Sequence, residues 1–348
     1  MKPLPKLCCF WKSVLLCLCL IVATPSRATQ IWDGPMDGPP RQAGKKVIFL
    51  SQDFRNGGIT AAYRGFYIAS AELGWSVRVV DGKGSDENIR RELDQAIHDR
   101  PDAIIIGGFD MDRFPDVAAA ARREKIVLAG WHAAGRPGPT KELFINISTQ
   151  PEDVAKIAAD YVVNSAKGNI GVVIFNDDRF AVANLKANRM REVIEQCGRC
   201  KVLSIENIPI SAASTEIPRA VPRLDKLYGK TWTHSLAIND VYFDAMNVPL
   251  VQINRTDVRN VAAGDGSSNA IGRIRAGLSQ QMATVAEPTE QQGWQLADEL
   301  NRAFAGAPPS GYVAAPILIT TPYLNQGEAN RSDANNPYRL AYREIWRK

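Results

Sequence analysis

The sequence predicts an α/β protein built as two similar, doubly wound parallel-sheet lobes. Three observations carry that prediction. From Lys45 onward, apolar runs of four to six residues alternate with longer stretches whose apolar residues fall at helical spacing. The alternation reaches Ala129 and, after Ile145-Asn-Ile147, starts again in the same order. The chain's 348 residues, 45% hydrophobic and 23% charged, suffice for two cores and exclude a disordered polypeptide or a fibre. Strands and helices alternating at these lengths imply parallel sheets covered on both faces.

Taken in order, residues 29–44 are rich in Gly, Pro and polar residues and read as a loose arm. Val47–Leu50 is four apolar residues between polar ones, a buried strand, and Ile59–Leu73 is a helix ended by Gly74. Val77–Val80, Ala103–Ile106 and Ile126–Ala129 are further strands, separated by helices over Glu87–His98 and Phe114–Glu124. In the second run Pro151–Ala166 is helical, Ile170–Phe175 a strand, Phe180–Glu195 a helix and Val202–Ile205 a strand. Pro218–Tyr228 and Asn269–Leu278 are helices; Ser235–Ile238, Val258–Ala262 and Met282–Val285 are strands; Thr289–Ala305 closes the series as a helix. Identity between the two halves is too faint to call a repeat. The tail from Asn325 is polar and reads as peripheral.

Residues 1–28 carry Lys2, Lys6, Lys12 and Arg27 and no acid. Without them 38 basic residues face 37 acidic ones, so the net charge falls from +5 to +1 and leaves no electrostatic footprint for nucleic acid. The same stretch has a positive front, an apolar run from Ser13 to Ala23 and small residues at Ser26 and Ala28. That is the build of a signal peptide cleaved after Ala28, which places residues 29–348 in the periplasm. An uncleaved anchor is the alternative, although a membrane span needs about 20 apolar residues. Cys8, Cys9, Cys17 and Cys19 leave with the leader, so Cys197 and Cys200 remain. In Cys197-Gly-Arg-Cys200 the pair follows the helical Met190–Gln196, whereas a redox-active pair sits at a helix start, where a thiol pKa is lowered. A structural disulfide in an oxidising compartment is expected.

The usual chemistry of enzymes and nucleotide sites is missing. No glycine-rich dinucleotide loop, no P-loop and no nucleophile elbow occurs, which argues against an enzyme. His98, His132 and His234 do not stand at metal-ligand spacing to one another or to the cysteines, so neither a metal nor a cofactor is expected.

In doubly wound sheets a ligand sits beyond the C-terminal ends of the strands. After Val47–Leu50 comes Ser-Gln-Asp-Phe54-Arg-Asn56-Gly-Gly; after Ala103–Ile106, Gly-Gly-Phe109-Asp; after Ile126–Ala129, Gly-Trp131-His132. The second run offers Asn239-Asp240 after Ser235–Ile238, Ala-Gly-Asp265-Gly after Val258–Ala262, and Ala-Glu287-Pro after Met282–Val285. Carboxylates, amides and aromatics alternate along one rim.

This ladder resembles the type I periplasmic binding proteins of the ribose-binding, LacI-like kind over roughly residues 45–325. The closest matches are Asn56 before the first helix with Gly65 within it, the Ala-Ile-Asn239-Asp240 strand end, and Gly264-Asp265-Gly266. The resemblance implies two lobes joined by a three-strand hinge: residues 45–146 plus 288–316, and 147–287 plus 317–325, with 326–348 as a tail. It implies a sugar-like solute held between them, with Asn56, Asn239 and Asp265 gripping hydroxyls. Lys186 falls where the family has a ligand-binding Arg, which puts a planar bidentate clamp in doubt. Trp131-His132 replaces an Asp-Arg pair, and Glu287 stands where an amide is usual.

Each residue also has a plainer reading. Phe54 and Phe109 suit a core as well as a ligand. Trp131 suits stacking on a sugar face, His132 a structural hydrogen bond, Lys186 a solvated helix face, and Asp265 a local Asx turn. The function implied is a monomeric solute-binding protein that closes on a carbohydrate or related polyol and delivers it to an ABC permease. A sensor presenting its ligand state to a membrane histidine kinase is the alternative; the arm and the tail aromatics Tyr338, Tyr342 and Trp346 would give it partner surface.

Overall fold

A computed structural model of the protein describes residues 32–325 and 336–348. The leader, its cleavage point and its four cysteines lie outside the described residues.

The first sheet is parallel throughout, in the order β2-β1-β3-β4-β5. Its strands are β1 (Lys46–Ser51), β2 (Ser76–Asp81), β3 (Ala103–Gly107), β4 (Val127–Trp131) and β5 (Ile145–Ile147). Helices α1 (Gly57–Leu73), α2 (Asp86–His98) and α3 (Pro115–Arg123) connect the first four strands. The ends of α1 are set by local chemistry. Asn56 Oδ1 accepts from Gly58 N at 2.9 Å, and Gly74 takes a left-handed conformation (φ 74°) that a side chain would strain.

The chain then passes to a second lobe through α4 (Pro151–Ser165), β6 (Ile170–Asn176), α5 (Ala181–Glu195) and β7 (Cys200–Asn207). It continues through α6 (Ala213–Tyr228), β8 (His234–Ala237), α7 (Val241–Gln252), β9 (Arg259–Ala262), α8 (Ser268–Ala276) and β10 (Gln281–Ala286). α9 (Thr289–Phe304) returns to pack on α1, and β11 (Ile317–Thr320) joins the second sheet antiparallel to β10, followed by α10 (Thr321–Asn325). The second sheet is ordered β11-β10-β9-β8-β6-β7, so between β1 and β11 the chain crosses from lobe to lobe three times. The interior strands β3 and β6 are buried along their whole length, as sheets covered on both faces require. α1 and α9 meet backbone to backbone: a Cβ on Gly65 would overlap the Glu290 carbonyl, and one on Gly293 the Ala62 carbonyl.

Several expectations need correction. α7 was not expected. Its buried Tyr242, Phe243, Met246 and Leu250 do recur at helical spacing, but exposed Val248 and Val251 and an internal Pro249 blur the period. α6 begins five residues before the expected Pro218, and it keeps Pro218 and Pro222 on its exposed side. The arm is not loose. Gln42 N donates to Asn301 Oδ1 at 2.8 Å, Trp75 Nε1 to the Gln42 carbonyl at 2.6 Å, and Arg302 to the Asp37 carbonyl. Nor is the whole tail peripheral. α11 (Pro337–Arg347) buries Tyr338, Tyr342, Ile345 and Trp346 in the first lobe, with Trp294 and Trp346 stacked at 5.6 Å. Those aromatics supply no partner surface, and the sensor reading loses its support.

Candidate ligand-binding cleft

The C-terminal ends of both sheets face one cleft. The first lobe lines it with Gln52, Asn56, Gly108, Trp131 and His132. The second lobe contributes Phe180, Val182, Ala183 and Lys186 from the start of α5, Ile210 after β7, and Ile238, Asn239 and Asp265 from strand ends. The lobes stand close together around a cavity of about 40 Å³, room for a few waters. With the lobes in this position the cavity is too small for a sugar-sized molecule.

Of the nine residues predicted for the site, Asn56, Trp131, His132, Lys186, Asn239 and Asp265 line the cleft. Glu287 lies behind them and is saturated by the protein. Its Oε1 accepts from Lys186 Nζ at 2.8 Å; its Oε2 meets His132 Nε2 at 2.9 Å and accepts from Thr149 N at 3.3 Å and Gln292 Nε2 at 3.5 Å. Phe54 and Phe109 do not line the cleft. Phe54 packs on Phe49 and Tyr63, and Phe109 is fully buried in the core against Phe114. The aromatic that does line it from a strand–helix turn is Phe180, in Asn176-Asp-Asp-Arg-Phe180 after β6. The strand-end rule finds Phe180 once it is applied to β6 as well.

The remaining details follow from the strand ends. Trp131 closes β4, anchors its indole N–H on Gln292 Oε1 at 2.7 Å, and stacks on His132 with centroids 4.0 Å apart. His132 holds a left-handed backbone (φ 51°) that turns its ring toward Glu287, a strained conformation of the kind found at binding sites. Lys186, open between a solvated face and a site, is buried on α5. Asp265 follows a cis Gly264–Asp265 peptide, and its Oδ2 accepts from Asn239 Nδ2 at 2.6 Å. Its carboxylate also lies against Gly58 of the opposite lobe. The amide that an Asx turn at Asp265 would use, Ser267 N, donates instead to Asp240 Oδ2 at 3.0 Å, as Gly266 N does at 2.9 Å.

Burial raises the Glu287 carboxyl, but His132 and Lys186 outweigh it and hold the group well below the usual range. Burial raises the Asp265 carboxyl, with Lys186 opposing and Glu287 adding to the rise. His132, Asp265 and Glu287 could each offer a metal one ligand atom, all within 4.8 Å. The Lys186 ammonium already bonded to Glu287 makes the trio poorly suited to a cation. Among the described residues, Asn56 Nδ2, the Gln52 side-chain amide and Asp265 Oδ1 have no protein partner, which leaves hydrogen-bonding groups free on both walls.

The chain matches the model of the periplasmic binding protein domain over residues 47–308. Solved structures share the fold. An ABC transporter solute binding protein from Agrobacterium vitis with bound allitol is 18% identical, with a TM-score of 0.71 over 82% of this chain and 98% of that one. A Caulobacter myo-inositol binding protein bound to myo-inositol is 17% identical, with a TM-score of 0.71 over 83% and 98%. A glucose-galactose binding protein from Geobacillus stearothermophilus is 15% identical, with a TM-score of 0.70 over 81% and 99%. No curated protein matches the sequence. Among the described residues no helix is long and apolar enough to cross a membrane.

Proposed function

Because the chain belongs to the periplasmic binding protein domain family, whose members bind solutes and are not enzymes, we propose that it captures a neutral sugar or polyol between its lobes and presents it to an ABC permease. The observation that carries this reading is the composition of the cleft wall. Glu287 is paired with Lys186 and hydrogen-bonded to His132, so the carboxylate left to face a solute is Asp265, a strong acceptor for hydroxyls. Asp265 and Asn239 on one side and Asn56 on the other suit adjacent hydroxyls, and Trp131 and Phe180 suit the apolar face of a ring. Allitol, myo-inositol and the glucose–galactose pair, named for its structural neighbours, belong to the same solute class.

The leader, and a disulfide joining Cys197 to Cys200 between α5 and β7, fit export to an oxidising periplasm, where the protein acts as a monomer. Calorimetry against neutral pentoses, hexoses and cyclic polyols, with amino acids and nucleosides as controls, tests the reading. Asp265→Ala is expected to weaken the best binder by about 2–4 kcal/mol, roughly 30- to 1,000-fold. The solute-free melting temperature stays unchanged. Binding of none of the polyols, or a peptide or nucleotide as the co-purifying solute, overturns the assignment.

A further inference from the structure

α5 carries Val182, Ala183 and Lys186 to the cleft, and its first amides need acceptors. Its preceding residue, Phe180, has no side-chain acceptor to give. The acceptor comes from the other lobe: Ala181 N donates to Asp110 Oδ2 at 2.7 Å. Asp110 lies three residues beyond β3 and is 5% exposed, with its Oδ1 unpartnered among the described residues. When the lobes part, the amide and the carboxylate both return to water, so this bond exists in the closed form alone. Burial raises the Asp110 carboxyl, with the Ala181 amide, Arg113 and His132 opposing and Asp112 adding to the rise.

We infer that Asp110 is a positioning residue for lobe closure: from the first lobe it caps α5 of the second, and so sets Lys186 against the cleft without touching the solute. The inference rests on the solute-binding reading. Removing the acceptor leaves the Ala181 amide unpaired in the closed form, which lowers the closed-to-open ratio roughly ten-fold.

The test traps closure with a reporter that needs no solute. A Cβ built on Gly57 lies 3.3 Å from Ser267 Cβ across the cleft, so Gly57→Cys with Ser267→Cys forms a disulfide only when the lobes meet. The rate of crosslinking by oxidised glutathione is compared in three backgrounds. Asp110→Ala slows it about ten-fold, Asp110→Asn keeps an acceptor oxygen and restores it, and the uncrosslinked melting temperature is the same throughout. A rate insensitive to Asp110→Ala overturns the inference and leaves the binding reading standing, because the lobes still open and close. Equal slowing in the Asn variant overturns it too. Immediate, complete crosslinking in every background means that the lobes do not part, which overturns both.

Discussion

Asp110 follows the third strand of the first sheet, and Asp240 follows β8, its counterpart in the second. Both are buried carboxylates bonded to the amides that open a helix. Asp240 serves its own lobe: it accepts from Gly266 N, Ser267 N and Gln281 Nε2 and fixes the turn into α8. Asp110 serves the other lobe. The same residue type at equivalent strand ends therefore supports the fold in one half and its motion in the other. Sequence position alone does not separate the two; the lobe that owns the partner amides does.

The largest effect that could break this comparison is on stability. Asp240→Ala leaves two backbone amides and the Gln281 amide unpaired inside one lobe, and is expected to lose about 3–4 kcal/mol in urea unfolding without solute. An Asp110→Ala variant that lost as much would erase the distinction. Next in size is Gly58→Ala, whose methyl would overlap the Asp265 carboxylate across the cleft. On a helical backbone the change leaves the separated lobes at least as stable. Calorimetry should show polyol affinity about 30-fold weaker, about 2 kcal/mol, with a solute-free melting temperature no lower than the wild type's. Unaltered affinity would show that the lobes do not close at this point.

The smallest effect concerns pH. Burial, with Arg259 and Arg199, lowers His234 to about 4, so the folded protein keeps it neutral where the unfolded chain binds a proton. Its contribution is complete above the unfolded pKa of about 6.5 and is lost as pH falls toward about 4, on the order of 2 kcal/mol. Asp240 runs the other way: burial, with the charge of Asp265 adding, raises its carboxyl to about 6. It is protonated first in the folded protein and adds stability over nearly the same fall. In the wild type the two oppose each other. In His234→Gln the opposing histidine is gone, so urea unfolding should show stability changing more favourably than in the wild type as pH drops from about 6 to about 4. Profiles that run parallel in the two proteins would mean that His234 titrates as a solvated group.

The strand ends were legible because parallel strands bring their C-terminal ends to one side whatever their side chains. That rule located Asn56, Trp131, His132, Asn239 and Asp265. It could not orient an aromatic beside a strand, which packs as readily beneath the sheet as into the cleft, and so it misplaced Phe54 and Phe109. Glu287 stands at a strand end as expected, but its partners come from positions as distant as His132 and Lys186, which no local pattern shows. The bond from Ala181 to Asp110 joins residues 71 apart and left no local trace. α11 did leave one. Tyr338, Tyr342, Ile345 and Trp346 recur at helical spacing within a tail whose polar composition hid it.

The arm and α11 are also bonded to each other, with Arg41 N donating to the Trp346 carbonyl at 3.1 Å, so both ends of the described chain lie on the first lobe. Fluorophores attached at those two ends would travel together as one rigid pair, and their separation would report nothing of hinge closure. A probe spliced at Asn254, in the exposed turn between α7 and β9, belongs to the second lobe. Paired with one at either end, it would turn each capture of solute into a change of distance. Where the chain ties its ends thus decides where a biosensor built on this scaffold must be cut.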